Sequence, residues 1–411
     1  MAHHGFGMCS TEKRDIGRSL KQDSAGVSSC KHTQAAQLMN VPHVVGYYKQ
    51  AATSERIYTS NPETAAGQGR MAQFVTFGEI MLRLNTPGFR RFLQAESFEA
   101  SYGGAEASVA ISLVNYGISS AFVTCLPPNE IGQAAINYVR RFGVDTSHIT
   151  RAGERIGIYF YEIGANQRPS KVIYDRAHSA IADVKPGSIP WKEIFSEAKW
   201  FHFTGITPAI SQNAADVCLE AVRSAKDKGL TVSCDLNYRA KLWKYGKTAT
   251  EIMAELMPYV DIVCGNEEDC EKIFGIKGAD VRIAEEVSPE KYSEVAGKLV
   301  KRFPNLKRVG ITLRGSISAT HNTWSAVLYD GKLHTTSKYD ITSVVDRLGG
   351  GDAFTGALVY CLLAGKSDQD ALDFATAASA LKHSILFDPN LASIQEIESL
   401  VKEGGAGRVQ R

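Results

Sequence analysis

Apolar and polar positions along the chain follow two periods, one typical of buried strands and one typical of helices. Short apolar runs predict strands at residues 74–78, 80–84, 121–126, 200–203, 230–235, 260–264 and 308–313. Elsewhere, apolar residues recur at helical spacing and predict helices that include residues 131–142, 212–228, 251–256, 267–274 and 292–303. Strands that alternate with helices in this way indicate an α/β fold with a mainly parallel sheet and helices on both faces.

Two candidate strands fall outside this alternation. Residues 158–163 and 171–174 are joined by a short polar segment, with no helix between them. They therefore predict a small sheet outside the main one.

The first 70 residues share neither period. They are rich in Ser, Ala, Gln, Gly, His and Thr, and apolar residues in them show no sustained spacing of 2 or 3.6. We predict a disordered or non-native extension over residues 1–70 and a folded domain over residues 71–405.

The amino-acid composition limits the kinds of partner that the protein can be expected to bind. The 411 residues include 46 Lys and Arg and 44 Asp and Glu, so the net charge of +2 favours neither nucleic acid nor a membrane surface as a partner. No apolar run in the sequence is long enough to cross a bilayer. The eight cysteines show no Cys-x-x-Cys or zinc spacing and several lie in apolar stretches, which predicts buried thiols in a cytoplasmic protein.

The segment with the strongest chemical signal is Asp346–Gly356, with the sequence Asp-Arg-Leu-Gly-Gly-Gly-Asp-Ala-Phe-Thr-Gly. A helical repeat of apolar residues begins at Ala353, and Gly365 is placed to end that helix in a left-handed conformation. The pattern predicts a glycine-rich turn that leads directly into a helix.

We call Gly349, Gly350 and Gly351 the glycine turn. Glycines ahead of a helix allow backbone N–H groups to face an anion, and the helix dipole adds partial positive charge. Asp352 is then placed to accept a proton from a nucleophile that attacks a bound phosphoryl group. The alternative is that Asp352 only caps a helix and the glycines only turn the chain.

Polar residues also follow three of the predicted strands. Gly205 comes after residue 203, residues 237–239 follow the strand that ends at Asp235, and residues 265–267 follow the strand that ends at Cys264. Ligands in parallel sheets bind outside the carboxyl ends of the strands. The three segments therefore predict a site at one edge of the sheet.

Two segments resemble signatures of the ribokinase/PfkB-type carbohydrate kinases. Tyr102–Ala110, with the sequence Tyr-Gly-Gly-Ala-Glu-Ala-Ser-Val-Ala, is similar to the family's sugar-contacting Gly-Gly segment. Asp346–Gly356 is similar to its Gly-Ala-Gly-Asp signature, and the similarity extends from about residue 72 to residue 398. The resemblance implies a ribokinase-like fold in which a small β lid, from about residues 82–101 and 156–174, covers the site.

Within this family, residues 77–83, 174–180 and 235–243 are similar to those of 2-keto-3-deoxygluconate kinases. The resemblance implies an enzyme that uses ATP and Mg²⁺ to phosphorylate the terminal hydroxyl of this sugar acid. The implied substrate-binding residues are Gly104, Tyr159, Tyr174, Arg176, Arg239 and Asp352. Guanidinium groups suit carboxylates, so the two arginines agree with an acidic substrate. The alternative for each arginine is a surface ion pair or the solvation of a helix end.

Two further elements of the sequence are implied by the resemblance to be associated with the nucleotide and its metal ion. Asn266 and Asp269 resemble the family's Asn-x-x-Glu element, which implies that they order Mg²⁺ through water, although Asp is one methylene group shorter than Glu. The alternative is that Asn266 only caps a helix. Gly315 is implied to be nucleotide-associated, in a segment that lacks the second glycine of the family's nucleotide loop.

Two other positions depart from the family pattern, and they leave alternatives open. Ser108 stands where the family usually has Asn, and Gly350 stands where it usually has Ala. One alternative is a fructokinase or ribokinase of the same fold, in which the arginines have other roles. Another is a catalytically weak sugar- or nucleotide-binding regulator, against which Asp352 argues. Exposed lid strands would also allow a homo-oligomer.

Overall fold

Strands and helices alternate along the chain, as the apolar periods predict. The structure, a computed structural model, describes residues 72–277 and 289–403. The strands in chain order are β1 (Phe74–Phe77), β2 (Met81–Asn85), β3 (Glu99–Gly103), β4 (Ser120–Val123), β5 (Cys125–Leu126), β6 (Thr150–Arg151), β7 (Ile158–Glu162), β8 (Lys171–Asp175), β9 (Trp200–Thr204), β10 (Thr231–Asp235), β11 (Ile262–Asn266), β12 (Arg308–Ser316), β13 (Asn322–Tyr329), β14 (Leu333–Thr335) and β15 (Tyr339–Ile341). The proposed N-terminal extension, residues 1–70, lies outside the described residues.

The α-helices occupy the segments between these strands and after the last of them. In chain order they are α1 (Ala105–Asn115), α2 (Glu130–Arg140), α3 (Trp191–Ile194), α4 (Ile206–Ile210), α5 (Gln212–Asp227), α6 (Ala249–Leu256), α7 (Glu267–Phe274), α8 (Pro289–Arg302), α9 (Gly350–Leu363), α10 (Asp368–Lys382) and α11 (Ile394–Glu403).

Nine of the described strands form the central sheet. Its order is β14-β13-β12-β11-β10-β9-β1-β4, and β15 also pairs with β13. Neighbouring strands from β12 to β4 run parallel, whereas β13 runs antiparallel to β12, β14 and β15. The prediction of a mainly parallel sheet is confirmed.

Apolar side chains bury both faces of this sheet. Val75 and Phe77 of β1 belong to a cluster that includes residues of α5, α6 and α8. Phe74, on the opposite side of the same strand, belongs to a second cluster with residues of α1, α9 and α10. Because alternate residues of a strand point to opposite faces, helices cover the sheet on both sides.

A separate four-stranded sheet, in the order β3-β2-β7-β8, corresponds to the predicted lid segments, and we call this sheet and its loops the lid. β2 and β7 pair in parallel at its centre, whereas β3 and β8 are its edge strands and pair antiparallel with their neighbours. In β2 the buried positions are Met81, Arg83 and Asn85, with half-buried residues between them. The strand alternation therefore turns an arginine towards the interior.

The helix after the glycine turn begins earlier than its apolar repeat predicts. α9 starts at Gly350, so Gly349 is its N-cap and Asp352 lies in its first turn. Most of α9 is buried, and it packs against both α1 and α10 rather than along one stripe. Small residues permit this: a Cβ added to Gly356 would lie 2.9 Å from the Cβ of Ser112 in α1. Gly365 ends the helix at a φ of 70°, as predicted.

Among the described residues, no helix has both the length and the apolar character that a membrane span requires. The cysteines in this part of the chain, Cys125, Cys218, Cys234, Cys264, Cys270 and Cys361, are free thiols, and all of them are buried.

Candidate active site

A cavity of about 560 Å³ lies where the central sheet, the lid and the glycine turn meet. Its walls include the carboxyl ends of β10, β11 and β12, as expected for a mainly parallel sheet. Among the residues predicted to form the site, Gly104, Tyr159, Tyr174, Arg176, Arg239, Asn266, Asp269, Gly349, Gly350, Gly351 and Asp352 all line this cavity. Gly315 is absent from its walls.

The glycine turn has a shape that requires glycine at its first position. Gly349 has a φ of 80°, and a Cβ at this residue would overlap the carbonyl oxygen of Asp388. Gly350 begins α9, and the first N–H groups of a helix have no acceptor within the helix. The amides of this turn are therefore suited to bind an anion in the cavity.

Asp352 combines a position in the first turn of α9 with an altered acidity. Burial, and after it the nearby carboxylates of Asp388 and Glu106, raise the pKa of Asp352 to about 7 against the opposing charges of Arg239 and Lys382. A carboxyl group with a pKa near neutrality can take up and release a proton at physiological pH. The N-cap of α9 is Gly349 rather than Asp352, so helix capping does not explain this side chain.

A second carboxyl group in the cavity belongs to Asp235, which the sequence patterns mark only as a strand end. Burial raises the pKa of Asp235 well above its usual value, and the charges of Asp269 and Asp352 raise it further. One of its oxygens accepts a hydrogen bond from the amide of Asn237 at 3.2 Å. Asp235 could have been predicted as a site residue, because it is an acidic residue at the carboxyl end of a central parallel strand.

Arg176 is buried and forms an ion pair. The sequence also allows a surface ion pair for this arginine, and the burial of Arg176 argues against that alternative. Its Nη2 donates to the carboxylate of Glu79, which also accepts a hydrogen bond from Ser179 Oγ at 2.8 Å. The Nε of Arg176 is buried and has no hydrogen-bond partner among the described residues. The guanidinium of Arg176 also lies 5.4 Å from the ring centroid of Tyr174, and both residues line the cavity.

Tyr159 and Tyr174 come from neighbouring lid strands, and their ring centroids are 6.3 Å apart. The hydroxyl of Tyr159 donates to Asp388 Oδ1 at 2.9 Å. Burial raises the pKa of Tyr159 well above its usual value, and the charge of Asp388 acts in the same direction. Tyr159 therefore remains a hydrogen-bond donor at physiological pH.

Arg239 is the exposed counterpart of Arg176 in the cavity wall. Its Nη1 donates to the carbonyl oxygen of Tyr238 at 2.9 Å. Its positive charge lowers the pKa of Asp235, Asp269 and Asp352 against the raising effect of burial. Arg239 is thus the cation that acts on all three acids.

Asn266 and Asp269 form a capping box at the start of α7. Asn266 Oδ1 accepts from the amides of Glu268 and Asp269 at 2.8 and 3.0 Å. Asp269 Oδ2 accepts from the amide of Asn266 at 3.0 Å, and its Oδ1 accepts from the amide of Tyr238 at 3.0 Å. Asn266 therefore does cap a helix, as one of the two interpretations of the sequence predicts. Both residues also line the cavity.

Gly315 lies in β12, where a Cβ would overlap Thr323 Oγ1 of the neighbouring strand. Its two sequence neighbours, Arg314 and Ser316, line the cavity instead. Residues of a strand alternate between its two sides, so the neighbours of Gly315 face the site and Gly315 does not.

Asp330, His334 and Asp368 form a group of side chains whose ligand atoms lie within 4.8 Å of one another. None of the three lines the cavity. Asp368 Oδ1 pairs with Arg308 Nε at 2.6 Å, so a cation of the protein already neutralises this carboxylate.

This chain is similar in sequence to known carbohydrate kinases. The pattern of the pfkB family carbohydrate kinases matches residues 71–384. A 2-dehydro-3-deoxygalactonokinase of Haloferax volcanii is 32% identical over 336 residues, which cover 82% of this chain and 98% of that protein. A 5-dehydro-2-deoxygluconokinase of Clostridium perfringens is 25% identical over 342 residues, which cover 81% of this chain and 95% of that protein.

A solved structure is also similar. The crystal structure of a 2-dehydro-3-deoxygluconokinase from Thermotoga maritima is 48% identical in sequence, with a TM-score of 0.76. The similarity covers 80% of this chain and 99% of that one.

Proposed function

The chain belongs to the pfkB family of carbohydrate kinases, and from this premise we propose that it transfers the γ-phosphoryl group of ATP to the terminal hydroxyl of 2-keto-3-deoxygluconate. One observation carries the proposal: Asp352, with a pKa of about 7, lies in the first turn of a helix that begins at the glycine turn. A base and an anion site side by side are what phosphoryl transfer to an alcohol requires.

Asp352 is the general base in this proposal. It takes the proton of the terminal hydroxyl as that oxygen attacks the γ-phosphorus, and the bond from this phosphorus to the bridging oxygen of ADP breaks. The amides of the glycine turn donate to the phosphoryl oxygens on which charge develops. The lid excludes water, which limits hydrolysis of ATP.

The oxygen-rich edge of the cavity fits Mg²⁺, which prefers oxygen ligands and retains several waters. Asp235, Asn266 and Asp269 line this edge, and both carboxylate oxygens of Asp269 already accept backbone hydrogen bonds. Asp269 would therefore act on the ion through water, as its resemblance to the family element implies. Magnesium supplies charge neutralisation at the phosphates when it is bound.

The sugar carboxylate is assigned to the two arginines of the cavity wall. Arg239 is exposed at the cavity, and Arg176 has a buried Nε whose hydrogen-bonding capacity is unused by the described residues. Arginine can bind a carboxylate through two parallel hydrogen bonds, which favours a sugar acid over a neutral sugar. Tyr159, Tyr174 and Gly104 complete the substrate side in this assignment.

The nucleotide is assigned to the part of the cavity formed by β11 and β12. Arg314 and Ser316 line it, and we assign the direct contacts to them rather than to Gly315. Gly315 would act indirectly, because its missing side chain lets β12 and β13 pair closely beside Thr323.

Two further assignments belong to this proposal. Two copies would pair through the lid, since β3 and β8 are edge strands and the lid region exposes the apolar side chains of Phe89, Leu93, Phe98 and Ile173.

The enzyme would work in the cytoplasm, where free buried thiols such as those of the described cysteines stay reduced.

The test is a measurement of ATP-dependent phosphorylation across a panel of purified acceptors. The panel contains 2-keto-3-deoxygluconate, its galactonate epimer, 5-keto-2-deoxygluconate, fructose and ribose. A hydrogen bond to a charged group contributes about 1.5–3 kcal/mol, so kcat/KM for 2-keto-3-deoxygluconate should exceed that for fructose by at least about tenfold. Equal kcat/KM for fructose and the sugar acid would contradict the assignment of the substrate. Binding of ATP without turnover of any acceptor would favour the regulator.

A further inference from the structure

Arg83 is a fully buried arginine in the centre of the lid, and its side chain leaves the lid to reach the body of the protein. Its Nη2 donates to Asp346 Oδ2 at 2.5 Å, and its Nη1 donates to Asp388 Oδ1. Its Nε donates to Asn85 Oδ1, within the same strand, at 2.8 Å. The exposed fraction of the Arg83 side chain is 0%. One guanidinium thus joins β2 to two separate carboxylates of the body.

The first of these carboxylates holds the chain just before the glycine turn. Asp346 Oδ1 accepts from the amide of Leu348 at 3.0 Å, and Asp346 Oδ2 accepts from the amide of Phe387 at 3.0 Å. Asp346 therefore fixes the approach of the chain to Gly349 and ties it to residues 383–388.

The second carboxylate belongs to Asp388, which contacts the glycine turn through its backbone and the lid through its side chain. Its carbonyl oxygen is the atom that a Cβ at Gly349 would overlap. Its carboxylate accepts from Arg83 of β2 and from the hydroxyl of Tyr159 of β7. The two central lid strands therefore converge on the residue that packs against Gly349.

The charges of this cluster are balanced within the interior. Lys382 is also buried, donates to the carbonyl oxygen of Ile385 at 2.9 Å, and interacts with Asp346 and Asp388 through their negative charges. The cluster thus contains two cations and two carboxylates. Removing one member leaves the others buried without compensation, which favours a single arrangement of lid and turn.

We infer that Arg83 is a positioning residue which couples the closed lid to the shape of the glycine turn. The inference rests on the proposed function, in which the lid residues Tyr159, Tyr174 and Arg176 contact the sugar. A sugar that holds the lid closed then holds Asp346 and Asp388 through Arg83, and so holds the amides of the glycine turn in place. The amides of the glycine turn would therefore be in place to bind the phosphates of ATP only when the lid is closed on the acceptor.

The test compares Arg83→Lys with Arg168→Lys in the full-length enzyme. Lysine keeps the charge of Arg83 but cannot reach both carboxylates as a planar fork does. Misplacement of a catalytic group by about 1 Å costs about 10²-fold, so we expect kcat to fall by about 10–100-fold. KM for ATP and for the sugar should change by less than about threefold, and the number of ATP molecules hydrolysed per sugar phosphorylated should rise.

Arg168→Lys is the matched control. Arg168 is also a lid arginine, but it pairs with Glu162 at 2.8 Å and donates to the carbonyl oxygen of Phe89, so these two partners both belong to the lid. Its kcat and its ratio of ATP used to sugar phosphorylated should match those of the wild type. A folded Arg83→Lys enzyme with unchanged kcat and unchanged ratio would overturn the inference, and so would a rise in KM alone.

Hydrogen exchange in the wild-type enzyme covers the case in which Arg83→Lys does not fold. Residues 383–387 do not line the cavity, and the amide of Phe387 donates to Asp346. Adding the sugar without nucleotide should slow exchange in residues 383–387 together with the lid strands. Slower exchange in the lid strands alone would overturn the inference. Because any sugar that the enzyme phosphorylates can be used, failure of the substrate assignment and failure of this inference give different results.

Discussion

The two walls of the cavity are built in different ways. The body wall includes the glycine turn and α9, in which nine of the fourteen residues are buried. The lid wall includes β8, whose residues alternate between exposed and half-buried along its whole length. Close packing holds α9 on nearly all sides, whereas β8 is held by one neighbouring strand.

The difference indicates how the work is divided between the walls. A base and an anion site must be held within fractions of an ångström of the reacting atoms, which packed helices achieve better than an exposed strand. Groups that select a substrate can lie on a wall that moves, provided that it closes in one position. We therefore expect changes in the glycine turn and the first turn of α9 to affect turnover, and changes in the side chains of the lid wall that line the cavity to affect substrate binding.

The largest effect is expected in the body wall, from Asp352→Asn. Asparagine keeps the size of the side chain but cannot accept the hydroxyl proton, so kcat should fall by roughly 10²–10⁴-fold. Steady-state kinetics and equilibrium binding of ATP measure the two quantities separately, and ATP should still bind. Turnover close to that of the wild type would return Asp352 to a structural role.

The stability of the same variant provides the control. The raised pKa of Asp352 means that the wild type loses stability as pH rises from about 4 to about 7, and the loss levels off above that. Each unit of upward shift corresponds to about 1.4 kcal/mol. Asp352→Asn should therefore melt at the same temperature as the wild type at pH 4 and at a higher temperature at pH 8. A lower Tm at pH 8 would show that the loss of turnover comes from misfolding.

The next effect is expected from Arg176→Leu in the lid wall. It removes an assigned carboxylate ligand and also leaves Glu79 buried without its cation. Breaking a buried pair costs about 3–5 kcal/mol, so thermal denaturation should show a lower Tm as well as a higher KM for the sugar. In Glu79→Gln/Arg176→Leu the uncompensated charge is gone, so Tm should recover while KM remains high. Recovery of both would mean that Arg176 serves only the ion pair.

Arg239→Leu should have a smaller and cleaner effect, because this arginine is exposed and pairs with no carboxylate among the described residues. Loss of its bond to the substrate should raise KM for the sugar acid by an amount equivalent to about 1.5–3 kcal/mol, and Tm should fall less than in Arg176→Leu. The KM for ATP serves as the internal control. Equal weakening of ATP and sugar would place Arg239 on the phosphates rather than on the sugar carboxylate.

The contrast between the walls also explains which parts of the site were predictable. Asp352, the glycine turn and Arg239 lie in or beside short motifs at strand ends and helix starts, where local sequence dictates local structure. Asp388 follows α10 with no such pattern, and its partners Arg83 and Tyr159 are 305 and 229 residues away in the sequence. Contacts of that separation are products of the tertiary fold. The alternation of side chains along β2 does turn Arg83 inward. The sequence does not show which carboxylates Arg83 then contacts.

Some predictions about local structure needed correction, among them the single strand predicted over residues 121–126, which forms the separate strands β4 and β5. The helix predicted from Ala353 begins at Gly350, because Gly349 in the left-handed region already turns the chain into the helical direction. Gly315 does not line the cavity, because β12 extends through it to Ser316 and pairs with Thr323 there. Its association with the nucleotide stays a prediction. The helices α3 and α4 were not predicted, since each has only four or five residues from which to read a period. The C-terminal helix α11 was also not predicted.

The smallest effect is expected from removing residues 1–70. These residues lack the periods of the folded part, and Met71 lies shortly before β1. A protein that begins at Met71 should keep the kcat, KM and Tm of the full chain within about twofold or a few degrees. Insolubility or loss of activity would mean that the extension contributes to the folded enzyme.

The most direct test of the central claim is the pH dependence of kcat/KM in the wild type and in Asp352→Asn. If Asp352 is the base, the ionised form is required, so kcat/KM in the wild type should fall tenfold per pH unit below about pH 7 and level off above it. The residual activity of Asp352→Asn should lack this dependence, which also controls for titration of ATP itself. A wild-type profile that is flat between pH 5 and pH 8, or the same limb in both enzymes, would contradict the account.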